Sequence, residues 1–303
     1  MISLKEIANK NTNLNYIHIF GHNVSCKIFP NLGASIQELT FNDINIIHGI
    51  DISEKGLVSY KEAYQSAILF PFVGRIPNGE YVFENRNYRF ETNETNRSNA
   101  LHGLIYNKPF KVDYCDISNS KASVQLSYCS DGNLKGFPFK FELKVFYIIS
   151  NEDLKIDFKI LNQDANSFPF GLGWHPYFKT DDLSSSTISF SSKEKLVCNE
   201  QMIPLKTTNN TEPSTFMINN KLFDDTFILL KNEVYFKTNN YKIKMNFKNP
   251  HKSFLQIYTA LDRKSIAIEP VTSAPNAFNN KMGLLVLKPN KTYHWNIKLK
   301  IIE

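Results

Sequence analysis

The chain is predicted to be all-β, a large antiparallel β-sandwich, and three observations predict it. Apolar and polar residues alternate along many segments, turn residues separate those segments, and no stretch of more than about three turns carries apolar residues at the helical repeat. The alternation is clearest in Val124-Gln-Leu-Ser-Tyr128, Leu154-Lys-Ile-Asp-Phe-Lys-Ile160, Tyr241-Lys-Ile-Lys-Met-Asn-Phe247 and Tyr293-His-Trp-Asn-Ile-Lys-Leu-Lys-Ile301. A repeat of two puts every second side chain on one buried face. Asn78-Gly79, Asp131-Gly132, Asn162-Gln-Asp164, Asn239-Asn240 and Pro289-Asn290 read as turns, and strands joined by short polar turns pair antiparallel. Sheets of this number stack face to face. Leu4 to Asn9 and Lys61 to Ile68 are expected as short helices.

The 303 residues contain 42% hydrophobic and 21% charged residues, which gives ample apolar material for a core and excludes disordered and collagen-like classes. No linker or composition shift divides the chain, so residues 1–303 read as a single domain. The net charge of +6 is spread among interleaved Lys and Asp/Glu, as in Lys140-Phe-Glu-Leu-Lys144, which argues against nucleic acid as a partner. Cys26, Cys115, Cys129 and Cys198 are scattered without metal-ligand spacing and read as buried thiols, so no metal is expected. The first ten residues lack an apolar signal core, and no apolar run approaches the ~20 residues that cross a bilayer. A cytoplasmic protein with no membrane partner is the expectation. Exposed sheet edges could pair between two copies, which leaves a homodimer open.

Dinucleotide, Walker-type, zinc-peptidase and nucleophile-elbow motifs are absent; Gly171-Leu-Gly173 runs into Trp174-His175 with no third glycine. Three segments do carry chemistry. His175 lies between Trp174 and Pro176, where proline fixes the local backbone. His102 follows Asn99-Ala-Leu and precedes Gly103, where the missing Cβ lets backbone or ligand approach. Glu269 ends the apolar run Ser265-Ile-Ala-Ile268 and is followed by Pro270-Val-Thr-Ser-Ala-Pro-Asn276-Ala-Phe278, small residues that suit a lined cleft. The other histidines, His18, His22, His48, His251 and His294, sit in plain strand or turn contexts. One acid and one base across a sugar ring is what anomer interconversion needs.

Together the segments resemble the aldose 1-epimerase (galactose mutarotase-like) family. The matching stretches are Asn99-Ala-Leu-His102-Gly103, His175-Pro-Tyr-Phe178 and Glu269-Pro270 with Pro275-Asn-Ala-Phe278. Pro71-Phe-Val-Gly-Arg75-Ile-Pro-Asn-Gly79 looks like the family's arginine segment, and Phe223-Asp224-Asp225-Thr-Phe227 resembles its substrate-contacting aspartate, with Asp224 preferred over Asp225 by position. The resemblance runs from about Leu69 to Phe278. Two departures touch the sugar's surroundings: Trp174 stands where galactose-acting members commonly have Asn, and Gly103-Leu104 replaces a usual Gly-Gly pair.

What the resemblance implies is a large antiparallel supersandwich that interconverts the α and β anomers of a free monosaccharide without metal or organic cofactor. Glu269 would be the base at the C1 hydroxyl and His175 the acid at the ring oxygen, starting as carboxylate and imidazolium. His102, Arg75, Asp224 and Asn276 would bind the sugar, and Trp174 or Phe278 would stack on its C–H face. Two alternatives stand beside this: a hexose-6-phosphate 1-epimerase, for which Arg86, Arg89 or Arg97 would supply the phosphate contacts, and a carbohydrate-binding or sensing protein without turnover. Glu84-Asn-Arg-Asn-Tyr-Arg89 reads as an exposed hairpin.

Overall fold

The computed structural model describes residues 1–248 and 252–302, so His251 lies outside the described residues. The protein is a β-sandwich of antiparallel sheets. A five-stranded sheet is built in chain order from Ser3–Ile7, Tyr16–Phe20, Val24–Phe29, Ser35–Phe41 and Ile44–Asn45. A fifteen-stranded sheet carries most of the rest. Its long meander Lys121–Asp131, Lys140–Ser150 and Asp153–Asn162 meets the C-terminal Thr292–Ile302 strand, and beyond that Lys242–Lys248, Asp224–Lys237, Ser253–Thr259 and Ser265–Val271 follow side by side.

The alternation read from the sequence becomes the burial pattern. In Lys140–Ser150, Phe141, Leu143, Val145, Tyr147 and Ile149 are buried, and the residues between them are not. They face Ile17, Ile19, Cys26, Ile28, Ile36 and Leu39 of the N-terminal strands in one core. Each such side chain contributes ~1.5–3 kcal/mol by leaving water, so the interior outweighs any single polar contact. Tyr147 ties the layers together, its hydroxyl donating to the Ala34 carbonyl at 2.6 Å.

The sequence-predicted turns hold. Asn78 and Gly79 have φ of +54° and +70° between Arg75–Pro77 and Glu80–Phe83, the conformation Asn-Gly supplies at little strain. The Glu80–Phe83 and Arg86–Arg89 hairpin is exposed at its arginines.

Several local readings need correction. Leu4 to Asn9 is not helical: its first part belongs to the Ser3–Ile7 strand, which pairs with Tyr16–Phe20. The helix expected at Lys61 to Ile68 lies earlier, at Glu54–Ala63. The Ser53 hydroxyl caps it by accepting from the Gly56 N–H, and Tyr64, in the left-handed region, ends it. Ile68–Leu69 is instead a strand paired with Gly173–Trp174. Of the cysteines only Cys26 is buried; Cys115 and Cys129 are exposed and Cys198 is intermediate, and all four are free. Edge and outward strand positions can hold a thiol in water, so type alone did not place them. Among the described residues no helix is long and apolar enough to cross a membrane.

Candidate active site

The register of four neighbouring strands lays out the floor of a cleft. Asp224 lies opposite Tyr258, Tyr258 opposite Ala267, and Ala267 opposite Tyr177. Two residues along, Thr226 lies opposite Gln256 and Gln256 opposite Glu269. Residues two apart on a strand share a face, so both rows present side chains to the same side. The Glu54–Ala63 helix with Tyr64 and Gln65, together with Arg75 at the start of the Arg75–Pro77 strand and the segments carrying Glu94 and His102, walls a hollow of ≈ 660 Å³ above them. That volume lies within the ~300–1,000 Å³ range of small-molecule sites.

His102 ends the Asn99–Leu101 strand at φ +61°, its N–H donating to the Gly74 carbonyl at 2.9 Å. Gly103 follows at φ +79°, where a Cβ would stand 2.3 Å from the Phe70 carbonyl oxygen, so only glycine lets the chain turn here. The His102 ring sits edge-on between Tyr64, at 4.8 Å, and His175, at 5.0 Å. His175 is held on both sides by backbone bonds, donating to Ala67 and accepting from Ser66, and its ring stacks on Tyr177 at 5.1 Å.

The decisive contact is His175 Nε2 to Glu269 Oε1, 3.4 Å, between side chains 5% and 2% exposed. Burial opposes charge on both. It lifts the Glu269 carboxyl well above its ordinary range, with nearby Asp224 adding to the effect, and it drops His175 to about 4. His102 is likewise pushed down by burial, then by His175 and Arg75. Burial thus disfavours charge on both partners, which works against the carboxylate–imidazolium pair expected from the sequence.

Glu94 organises the charged wall. Its carboxylate takes both Nε and Nη2 of Arg75, at 2.9 and 3.0 Å, and also accepts from Arg97 at 3.1 Å and from Asn99 at 2.8 Å. Burial raises its pKa, yet these donors together hold it below the usual carboxylate range. Asp224 lines the cleft, and burial raises its carboxyl against the pull of Arg75. Asp225 points elsewhere, to Lys195 at 2.8 Å, which supports the choice of Asp224. Among the described residues, no group of three His, Cys, Asp or Glu could hold a metal ion.

The aldose 1-epimerase family model matches residues 19–300. The chain belongs to the aldose 1-epimerase family. It is 25% identical to the uncharacterized protein YihR of Escherichia coli (strain K12) over 279 residues, 86% of this chain and 85% of that one. A galactose mutarotase-like protein from Clostridium acetobutylicum has the same fold, with a TM-score of 0.90 at 21% identity over 100% of this chain and 99% of that one. A galactose 1-epimerase from Lactobacillus acidophilus superposes with a TM-score of 0.80 at 16% identity, again over 100% and 99%.

Within this epimerase-family chain the cleft brings together Glu269, His175, His102, Arg75 and Asp224, as the sequence predicts. Trp174 is not there. It is fully buried in the hydrophobic core, because adjacent strand residues face opposite ways and His175 takes the cleft side. Asn276 is also behind the wall: its N–H donates to the Arg75 carbonyl at 2.8 Å and its side chain accepts from Asn279. It shapes the Arg75 backbone and does not line the hollow. Phe278 packs with Phe72, Tyr81 and Phe90 in the core. Sequence reading missed Tyr64, Glu94, Tyr177, Gln256 and Tyr258. Only Tyr177 carried a signal, lying in the His175-Pro-Tyr segment already singled out.

Proposed function

We propose that the protein catalyses mutarotation of a free aldose, with Glu269 and His175 as its acid–base pair. One observation carries the reading: a carboxyl and an imidazole, both buried, face each other at 3.4 Å where they line the hollow. Ring opening takes the C1 hydroxyl proton onto the Glu269 carboxylate and delivers the His175 proton to the ring oxygen, giving the open-chain aldehyde. Rotation about C1–C2 and the reverse transfers then close the other anomer. The pair holds one proton throughout. Its uncharged form, favoured by burial, faces the aldehyde; its ionised form needs the sugar hydroxyls and nearby donors for solvation.

His102 donates to, or accepts from, the sugar oxygens nearest His175. Arg75, held by Glu94, and Asp224 bind further hydroxyls of the sugar. The cytoplasm is the proposed place of action. Among the described residues, Arg86 and Arg89 lie on the exposed hairpin outside the cleft lining, and Arg75 and Arg97, which line it, are both engaged by Glu94, which favours an unphosphorylated sugar.

Polarimetry of freshly dissolved α-aldoses tests the reading. E269Q and H175N should each fall to the solvent rate while keeping the wild-type fold by circular dichroism. Undiminished rates in both would overturn it.

A further inference from the structure

A histidine ring in a working site is ordinarily oriented by the hydrogen bond that its second nitrogen makes. His102 lacks one: its Nδ1 is buried and has no hydrogen-bond partner among the described residues. Packing holds the ring instead, edge-on between Tyr64 at 4.8 Å and His175 at 5.0 Å. Tyr64 is itself braced. Its ring meets Tyr106 edge-on at 4.8 Å, and its hydroxyl accepts from Asn93 Nδ2 at 3.0 Å. The Asn93 side chain also donates to the Leu101 carbonyl at 3.1 Å and accepts from the Leu101 N–H at 2.7 Å. Leu101 is the residue before His102, so the contacts close a circuit, from the tyrosine hydroxyl through Asn93 to the strand that carries His102 and back across the imidazole. We propose that Tyr64 is a positioning residue for His102, fixing the plane of an imidazole that no hydrogen bond orients.

The backbone points the same way. Tyr64 ends the Glu54–Ala63 helix at φ +54°, the left-handed position that glycine usually fills after a helix. Glycine there would relieve the strain and leave His102 without its packing partner. An aromatic pair of this kind contributes ~0.5–1.5 kcal/mol beyond the area it buries, comparable to the hydrogen bond that His102 lacks. Two residues further on, the Ser66 N–H donates to the His175 carbonyl, and the His175 N–H donates to the Ala67 carbonyl. One short segment therefore carries the ring that packs on His102 and the backbone groups that hold His175, and it ties both histidines of the hollow to the end of one helix.

The inference rests on the mutarotase reading, in which His102 contacts the sugar, and its test separates the two. Sugar dissociation constants by titration calorimetry and mutarotation kinetics are measured on the full chain, for single variants and for the same variants combined with H102N. Y64L should raise Kd and lower kcat/KM by about tenfold to a hundredfold, the cost of a contact misplaced by ~1 Å. Y64F keeps the ring and loses only the bond from Asn93, so its loss should stay near about threefold. Coupling is the readout that a merely structural role would not move. In the H102N background Y64L should change Kd by less than about twofold, because no imidazole is left to orient. Unchanged Kd and kcat/KM in Y64L, or an equal loss with and without His102, would overturn the assignment. Should Y64L fail to fold, N93A cuts the same tie from an exposed residue, and its loss of about threefold should likewise vanish beside H102N. A wild type that binds aldoses without turning them over would sink the mutarotase reading alone, because the Kd cycle still judges Tyr64. A wild type that neither binds nor turns over any aldose would remove both.

Discussion

Two polar arrays built on neighbouring strands of this protein differ in one respect. On the N-terminal sheet, His18 Nε2 lies 3.0 Å from Ser25 Oγ, Ser25 donates to Glu38, and Lys27 pairs with Glu38 at 2.7 Å, all partly open to water. In the cleft, His102 Nδ1 and His175 Nδ1 are buried with no hydrogen-bond partner, and Glu269 is buried at 3.4 Å from its imidazole neighbour. An unsatisfied buried polar atom costs ~1–3 kcal/mol, so the second array is expensive where the first is not. The first array is closed on itself by its own hydrogen bonds, whereas the residues of the second line the hollow, where a ligand would meet them.

The largest test of that contrast is kinetic. H175N should lower kcat about 10²- to 10⁴-fold, the usual worth of a positioned acid or base, while H18A on the satisfied array should leave the mutarotation rate unchanged. Equal effects by polarimetry would erase the distinction.

Titration comes next. Below about pH 4 His175 and Glu269 each hold a proton and no base remains, so kcat/KM should fall as pH drops through about 4. H18A should not alter that profile. Stability should follow the opposite sign at Glu269. Its folded pKa lies above the unfolded one, so it favours folding below about pH 4 and loses that contribution as pH rises toward the folded value. E269Q should therefore melt higher than wild type at neutral pH by differential scanning fluorimetry, with the gap closing on acidification.

Backbone effects are smaller. G103A forces a Cβ to within 2.3 Å of the Phe70 carbonyl at φ +79° and should destabilise by about 2–3 kcal/mol, shifting His102 and lowering kcat/KM with it. The smallest effect is expected from W174F. It trims a core ring whose indole N–H has no partner, so KM should stay at the wild-type value in initial-rate measurements, with less than ~1.5 kcal/mol of stability lost. A raised KM would restore Trp174 to the sugar site.

The sequence by itself determined the sheet character and the chemistry-bearing segments. Alternation is a property of each strand alone, and Pro or Gly beside His175, His102 and Glu269 constrains the backbone within one or two residues, so both are visible locally. The helix at Glu54–Ala63 was misplaced because its limits depend on the Ser53 cap and the left-handed Tyr64, and the Ser3–Ile7 strand was lost because its partner lies elsewhere in the chain. Tertiary structure alone decided which way Trp174 and Asn276 face, and that Glu94 and Gln256 belong to the cleft. Those facts follow from which strands become neighbours and in what register, and a one-residue slip in register would turn every side chain of a strand to the other face.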